Sequence, residues 1–216
     1  MDKKQRLQEL EKELVIADLL LKKTANLVFG EGNIDCQVMF IGEAPGFTED
    51  QLKRPFVGRS GKLLDDMLGS IKWKRSDVYI TNIVKRRPPE NRDPLPEEIE
   101  AYKPFLAKQI EIINPKVIAT LGRFSMNYFL PLAKITRDHG KIFEVENKKI
   151  YPLFHPAAAL RAAGVMDDLK ADFKKLPSLL GNEVSIDAAA GTAAAKNETS
   201  SSAIKKSGKP DQAKLF

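Results

Sequence analysis

His155, Asn82, Phe56 and the carboxylates Glu43 and Glu49 are the residues whose types and settings suggest chemistry, and each sits at or shortly after the end of an apolar run. His155 ends IYPLFH and precedes Pro156, whose missing N–H costs nothing at the first turn of a helix. An imidazole so placed is either a donor at a strand mouth or a satisfied core histidine. Asn82 ends VYITN; its carboxamide either offers an acceptor and a donor pair to a flat heterocycle or caps a turn. Phe56, flanked by Pro55 and Gly58, either presents a ring face to a planar ligand or fills the core. In GEAPG, Gly42 to Gly46, two glycines and a proline turn the chain sharply, so that something can approach the backbone around Gly42 and Ala44. Behind Asn82 runs VKRRPPENRDPLPEE, where Lys85, Arg86, Arg87 and Arg92 sit among four prolines. That is a stiff basic loop suited to phosphate contacts, or else a solvated charge run. His139, in TRDHGK, reads as a loop residue.

The elements that must position these groups are legible from periodicity. QVMFIG (37–42), VYITN (78–82), KVIATLG (116–122) and IYPLFH (150–155) are short apolar runs of the kind buried on both faces of a sheet. Between and after them lie the helical stretches GKLLDDMLGSI, PEEIEAYKPFLAKQIEII, RFSMNYFL and DDLKADFKKLPSLL. Strands alternating with helices predict an α/β sandwich around a mainly parallel sheet, whose ligands bind beyond the carboxyl ends of the strands. Leu7, Leu10, Leu14, Ala17 and Leu21 follow three-and-four spacing and predict one amphipathic helix docking on the body.

The chain has 216 residues, with 35 Lys+Arg against 29 Asp+Glu and a net charge of +6, a modest positive field that favours polyanionic partners. No stretch approaches the roughly 20 apolar residues a bilayer demands, and the charged start is unlike a signal peptide, so the expected setting is the cytoplasm. Cys36 is the only cysteine, which excludes an intrachain disulfide, an all-thiolate zinc site and an iron–sulfur cluster held by cysteines. Composition divides the chain into a folded body over 1–181 and an Ala-, Ser- and Lys-rich tail over 182–216, expected to be disordered.

Taken in order and spacing, GEAPG…ED…PFVG, TNIVKRRPPENRDP and HPAAALR resemble the family 4 (thermostable type) uracil-DNA glycosylases, from VFGEGN (28–33) to about residue 161. The resemblance implies a three-layer α/β/α fold around a central, mainly parallel four-stranded sheet. It also implies a monomer that flips uracil out of DNA, hydrolyses its N-glycosidic bond and so starts base-excision repair. Carried over to this chain, Phe56 would stack on the extruded base, and Asn82 would match the uracil edge and mismatch cytosine. His155 would stabilise charge developing at O2. Gly42 and Ala44 would line the pocket, while Arg161 and the Lys85, Arg86, Arg87 and Arg92 loop would lie near the DNA backbone. The motif corresponding to GEAPG in better-known glycosylases has Asp or Asn where this chain has Ala44. Glu43 or Glu49 is left to orient the attacking water or to brace the pocket.

The family usually carries four cysteines on a [4Fe–4S] cluster. The counterparts here are Arg86, Tyr102 and positions near Val15 and Asp18, so no cofactor or metal is expected. Leu14, Leu19 or Leu20 and Tyr102 would fill the space, and Lys53 stands where the family often has Gly. The terminal QAKLF, with Gln212, Leu215 and Phe216, resembles the peptide by which bacterial repair proteins dock on the sliding clamp. Two rival readings keep the fold: a non-catalytic DNA-binding or clamp-associated module, and a glycosylase with shifted choice of base, such as hypoxanthine.

Overall fold

The computed structural model describes residues 1–181. One sheet is built from β1 (Glu31–Gly32), β2 (Val38–Gly42), β3 (Tyr79–Asn82), β4 (Val117–Leu121), β5 (Phe143–Val145) and β6 (Lys148–Leu153), in the order β1-β3-β2-β4-β6-β5. The four apolar runs are β3, β2, β4 and β6, neighbours that pair in parallel. The sheet nevertheless has six strands where four were expected, because β1 and β5 add antiparallel edges. Neither carries an apolar run of its own. The β5–β6 hairpin turns through Glu146 and Asn147, both left-handed at φ 47° and 63°, a primed turn without the glycine that usually announces it.

Eight α-helices complete the body: α1 (Lys3–Ile16), α2 (Phe47–Leu52), α3 (Arg59–Ser70), α4 (Pro96–Ile113), α5 (Arg123–Phe129), α6 (Ile135–Asp138), α7 (Pro156–Ala159) and α8 (Ala163–Lys175). Side chains alternate across a strand, so β2 divides the core in two. Met39 and Ile41 pack with Leu14, Tyr102, Ile110 and Met126 of α1, α4 and α5. Val38 and Phe40 pack with Leu64, Leu68, Leu169 and Phe173 of α3 and α8. Burying both faces of the sheet in this way gives the three layers.

Helix α1 is shorter than its leucine spacing predicts. Leu7, Leu10 and Leu14 are buried, but Ala17 caps the helix and Leu21 adopts a left-handed φ of 68°. The ion pairs Arg6–Glu111 and Glu13–Lys108 bridge α1 to α4 at the surface. Lys53 takes the left-handed C-cap of α2 at φ 54°, the conformation that favours glycine at such a position.

The sheet aligns three strand ends. Gly42 of β2 pairs in register with Asn82 of β3, and β6 runs on through Phe154 to His155. Gly122, at the end of β4 between them, has φ +92°, and a Cβ there would lie 3.0 Å from the His155 Cβ. With no side chain at that point, His155 can stand close to the other strand ends. Residues 182–216, including Gln212, Leu215 and Phe216, lie outside the described residues.

Candidate active site

Beyond these strand ends opens a cleft of about 520 Å³, with Glu43, Phe56, Asn82 and His155 in its wall and Arg59 and Arg161 at its mouth. A Cβ on Gly42 would fall 2.5 Å from both Asn82 Oδ1 and Phe56 Cζ. Ring and carboxamide therefore meet over bare backbone, and only glycine lets them do so. The ring centroids of Phe56 and His155 lie 5.7 Å apart. Asn82 is 1% exposed, and its Oδ1 has no hydrogen-bond partner among the described residues. A buried acceptor without a donor is costly, and here it belongs to a residue that lines a cleft.

His155 is the N-cap of α7, with Pro156 at the first helical position, and its Nδ1 accepts the Ala157 N–H at 3.1 Å. That bond leaves the imidazole proton on Nε2. Burial and the nearby Arg161 push the pKa down to about 4, against a smaller opposing pull from Glu49. The ring is thus a neutral Nε2–H donor at pH 7.

Phe56 is held in a left-handed conformation at φ 51°, which a bulky side chain does not adopt unaided. Four bonds impose it. Arg75 donates from Nη2 to the Pro55 carbonyl at 2.6 Å and from Nη1 to the Phe56 carbonyl at 2.9 Å. Glu49 Oε1 accepts the N–H groups of Val57 at 2.9 Å and Gly58 at 2.7 Å. Glu31 and Asp65 in turn fix Arg75, and Gly61 is required because a Cβ there would strike the Phe56 carbonyl oxygen. Of the two functions open to Glu49 in the sequence, its contacts fit bracing. Arg75→Ala is expected to weaken binding of a flat ligand against the ring about tenfold and to lower stability by about 1–3 kcal/mol. Ligand titration and thermal melts measure the two effects, and unchanged binding would separate Arg75 from the ring's placement.

Glu43 differs from Glu49 in having no side-chain hydrogen bond or ion pair among the described residues to hold its charge. Burial, reinforced by Asp93 and opposed by Arg123, raises its pKa to about 7. If its carboxylate is needed for turnover, kcat/KM falls as pH drops through 7, to about a tenth of the plateau at pH 6. Glu43→Gln should flatten that limb and lower the plateau about a hundredfold. The folded-state pKa exceeds the ordinary 4.5, so stability falls as pH rises from 4.5 to 7 and the full penalty remains above 7. At pH 8 the glutamine variant should be about 1–2 kcal/mol more stable, since solvent reaches part of the carboxyl and screens its charge. Melts at pH 4 and pH 8 provide the check.

The basic loop departs from expectation. Lys85 is fully buried, donating from Nζ to Thr81 Oγ1 and Gln109 Oε1, both at 2.6 Å, and burial drives its pKa well below the ordinary lysine value. It cannot reach a phosphate from there. Arg86 is buried as well, its Nη1 on the Ala25 carbonyl at 2.6 Å. Arg92 grips Glu98 with both terminal nitrogens, at 2.8 and 2.5 Å. That leaves Arg87 as the loop's cation that is neither buried nor paired with a carboxylate, and its Nε bonds Asn91 Oδ1 at 2.7 Å. The loop thus turns two of its four charges inward and neutralises a third with a carboxylate. Sequence reasoning missed Arg59 and Asn91 at the cleft, and it missed Arg75, which no spacing connects with residues 55 and 56.

The region corresponding to the family's cluster is held by different chemistry. The Tyr102 hydroxyl donates to the Leu20 carbonyl at 2.7 Å, and Arg86 bonds Ala25 in the same segment. The expected apolar filling is realised by Leu14 and Tyr102 with Leu19 against them, whereas Leu20 is 46% exposed. Cys36 is buried, its thiol pushed up to about 11 by that burial. Among the described residues no group of three or more His, Cys, Asp or Glu could hold a metal ion. A guanidinium, a phenol and one isolated thiol do not fit an iron–sulfur cluster.

A cleft lined by the buried Phe56 ring, which also packs in the core, by an orphaned carboxamide and by a neutral imidazole donor at the ends of a parallel sheet suits a flat, uncharged heterocycle. Residues 29–176 match the family model described as the uracil DNA glycosylase superfamily, and the chain belongs to that superfamily. It is 44% identical over 173 residues to the type-4 uracil-DNA glycosylase of Archaeoglobus fulgidus, covering 76% of this chain and 87% of that protein. It is 46% identical over 164 residues to the one of Sulfurisphaera tokodaii, covering 71% and 74%. With the one of Thermotoga maritima it shares 47% identity over 153 residues, covering 69% and 79%.

Proposed function

We propose that this protein is a uracil-DNA glycosylase that removes uracil from DNA by hydrolysing its N-glycosidic bond and leaves an abasic site for base-excision repair. The observation that carries the reading is the unpartnered Oδ1 of buried Asn82 beside the Phe56 ring. Uracil supplies the missing donor from N3–H and takes a donor at O4; cytosine presents the reverse pattern. Phe56 stacks on the base. As the bond between N1 and C1′ breaks, its electron pair leaves with N1, the base becomes an anion and the sugar an oxocarbenium ion. The Nε2–H of His155, aimed at O2, gains strength as that charge develops and so lowers the barrier. Water then bonds to C1′ and gives up a proton, for which the Glu43 carboxylate is a suitable acceptor. Gly42 and Ala44 supply the close backbone floor, and Glu49 braces the Phe56 loop. Arg161, Arg59 and Arg87 face the phosphates.

The protein works as a monomer in the cytoplasm, and it does so without an iron–sulfur cluster, the last point being supported by the single cysteine and by the Arg86 and Tyr102 contacts. A purified sample with no visible absorption band and undiminished excision is the expected result. The terminal QAKLF docks on the sliding clamp, a reading supported by sequence alone; its deletion should abolish co-elution with the clamp.

The primary test is excision from uracil-containing oligonucleotides, beside a panel carrying hypoxanthine and other damaged bases. Free uracil and alkali-labile strands are expected. Binding without base release would instead identify a non-catalytic module, and release of another base in preference to uracil would identify a shifted specificity.

A further inference from the structure

We propose that Phe47 and Arg87 form a stacking platform for the nucleobase adjacent to the extruded nucleotide in the same strand. The proposal rests on the uracil-excision reading and adds a second base-binding subsite to it. Phe47 is the first residue of α2 and is 60% exposed, the one aromatic among the large apolar side chains left in solvent in the described residues. It stands at the mouth of the same cleft whose deeper wall holds Phe56, Asn82 and His155. Arg87 places its guanidinium carbon 5.1 Å from the Phe47 ring centroid. The guanidinium is itself fixed by the Asn91 contact at 2.7 Å, in a turn where Glu90 and Asn91 are both left-handed at φ 55°.

Three features favour a base over any other occupant. An exposed ring backed by an anchored cation is the pairing that binds single-stranded bases, the ring stacking on the base while the cation meets the backbone. The inner pocket already accounts for the extruded base, so the base within reach of the rim is its neighbour along the strand. The loop's other cations are withdrawn, Lys85 and Arg86 by burial and Arg92 by Glu98. Arg87 alone is left beside the ring. Stacking requires only a π-face, so the platform should accept any of the four bases.

The test uses full-length protein and single-stranded oligonucleotides in which the nucleotide 5′ or 3′ of the uridine is either natural or an abasic spacer. The spacer at one of the two positions should raise KM about tenfold for the wild-type protein. Phe47→Ala should raise KM by a similar factor on the natural strand and no longer respond to the spacer. Phe47→Trp should restore the response. Inhibition by free uracil, which reads the inner pocket alone, should be the same for Phe47→Ala and wild type. A wild-type enzyme that excises uracil equally with and without either spacer overturns the platform and leaves the excision reading standing. A Phe47→Ala variant as spacer-sensitive as wild type also overturns it, and points to another occupant such as a protein segment. Absence of uracil release from any strand refutes the underlying function instead.

Discussion

His155→Ala is expected to lower kcat by about 10²–10³-fold while uracil-containing DNA still binds. The size follows from when the lost bond acts. A neutral Nε2–H donor does little for the uncharged carbonyl of bound uracil but a great deal for the anion formed as the glycosidic bond breaks, so its removal falls on turnover more than on affinity. The tautomer is set locally by the Ala157 N–H on Nδ1, and the neutral state by burial and Arg161. A pKa of about 4 means that no titration of His155 enters the rate between pH 5 and 9. Single-turnover rates over that range, taken in the Glu43→Gln background to remove the other ionisation, should be flat. An acid limb near 6.5 in that background would show that His155 changes charge during function and would overturn the neutral-donor mechanism.

Asn82→Ala should separate activity from stability. Among the described residues the buried Oδ1 has no donor, a condition that costs about 1–3 kcal/mol. Alanine removes that penalty at the expense of a small cavity, so the melting temperature should hold or rise. Activity should move the other way: loss of both contacts to the uracil edge is expected to reduce kcat/KM about 10²–10³-fold. The preference for uracil over cytosine should collapse with it, since the remaining ring and imidazole do not distinguish the two edges. Kinetics on paired uracil and cytosine oligonucleotides alongside thermal melts would check both signs. Equal losses of stability and activity would make Asn82 a structural residue.

The parallel core of the sheet, the helices that cover it and the strand ends that carry Gly42, Asn82 and His155 could all be read from residue order. Apolar runs long enough to be buried on both faces, alternating with helical periodicity, leave few other arrangements. The edge strands β1 and β5 escaped because two or three residues hold too little apolar surface to leave a pattern, and their pairing comes from the neighbouring strand. The charges of the basic loop were legible as charges but not as contacts. Lys85 directly follows the buried segment ITNIV, and only the packing of α4 against β3, which brings Gln109 to its Nζ, shows that it points inward.

Residue types and their order along the chain thus determined which groups could do chemistry, since a ring, an amide and an imidazole keep their donor and acceptor properties wherever they stand. Tertiary structure alone decided which protonation state and which partner each one has. Solvent exclusion around His155 and Glu43, the Arg75 and Glu49 clamp on Phe56, and the unanswered acceptor of Asn82 all arise from atoms distant in sequence and adjacent in space. Burial and hydrogen-bond completion are properties of that neighbourhood, and no spacing along the chain encodes them.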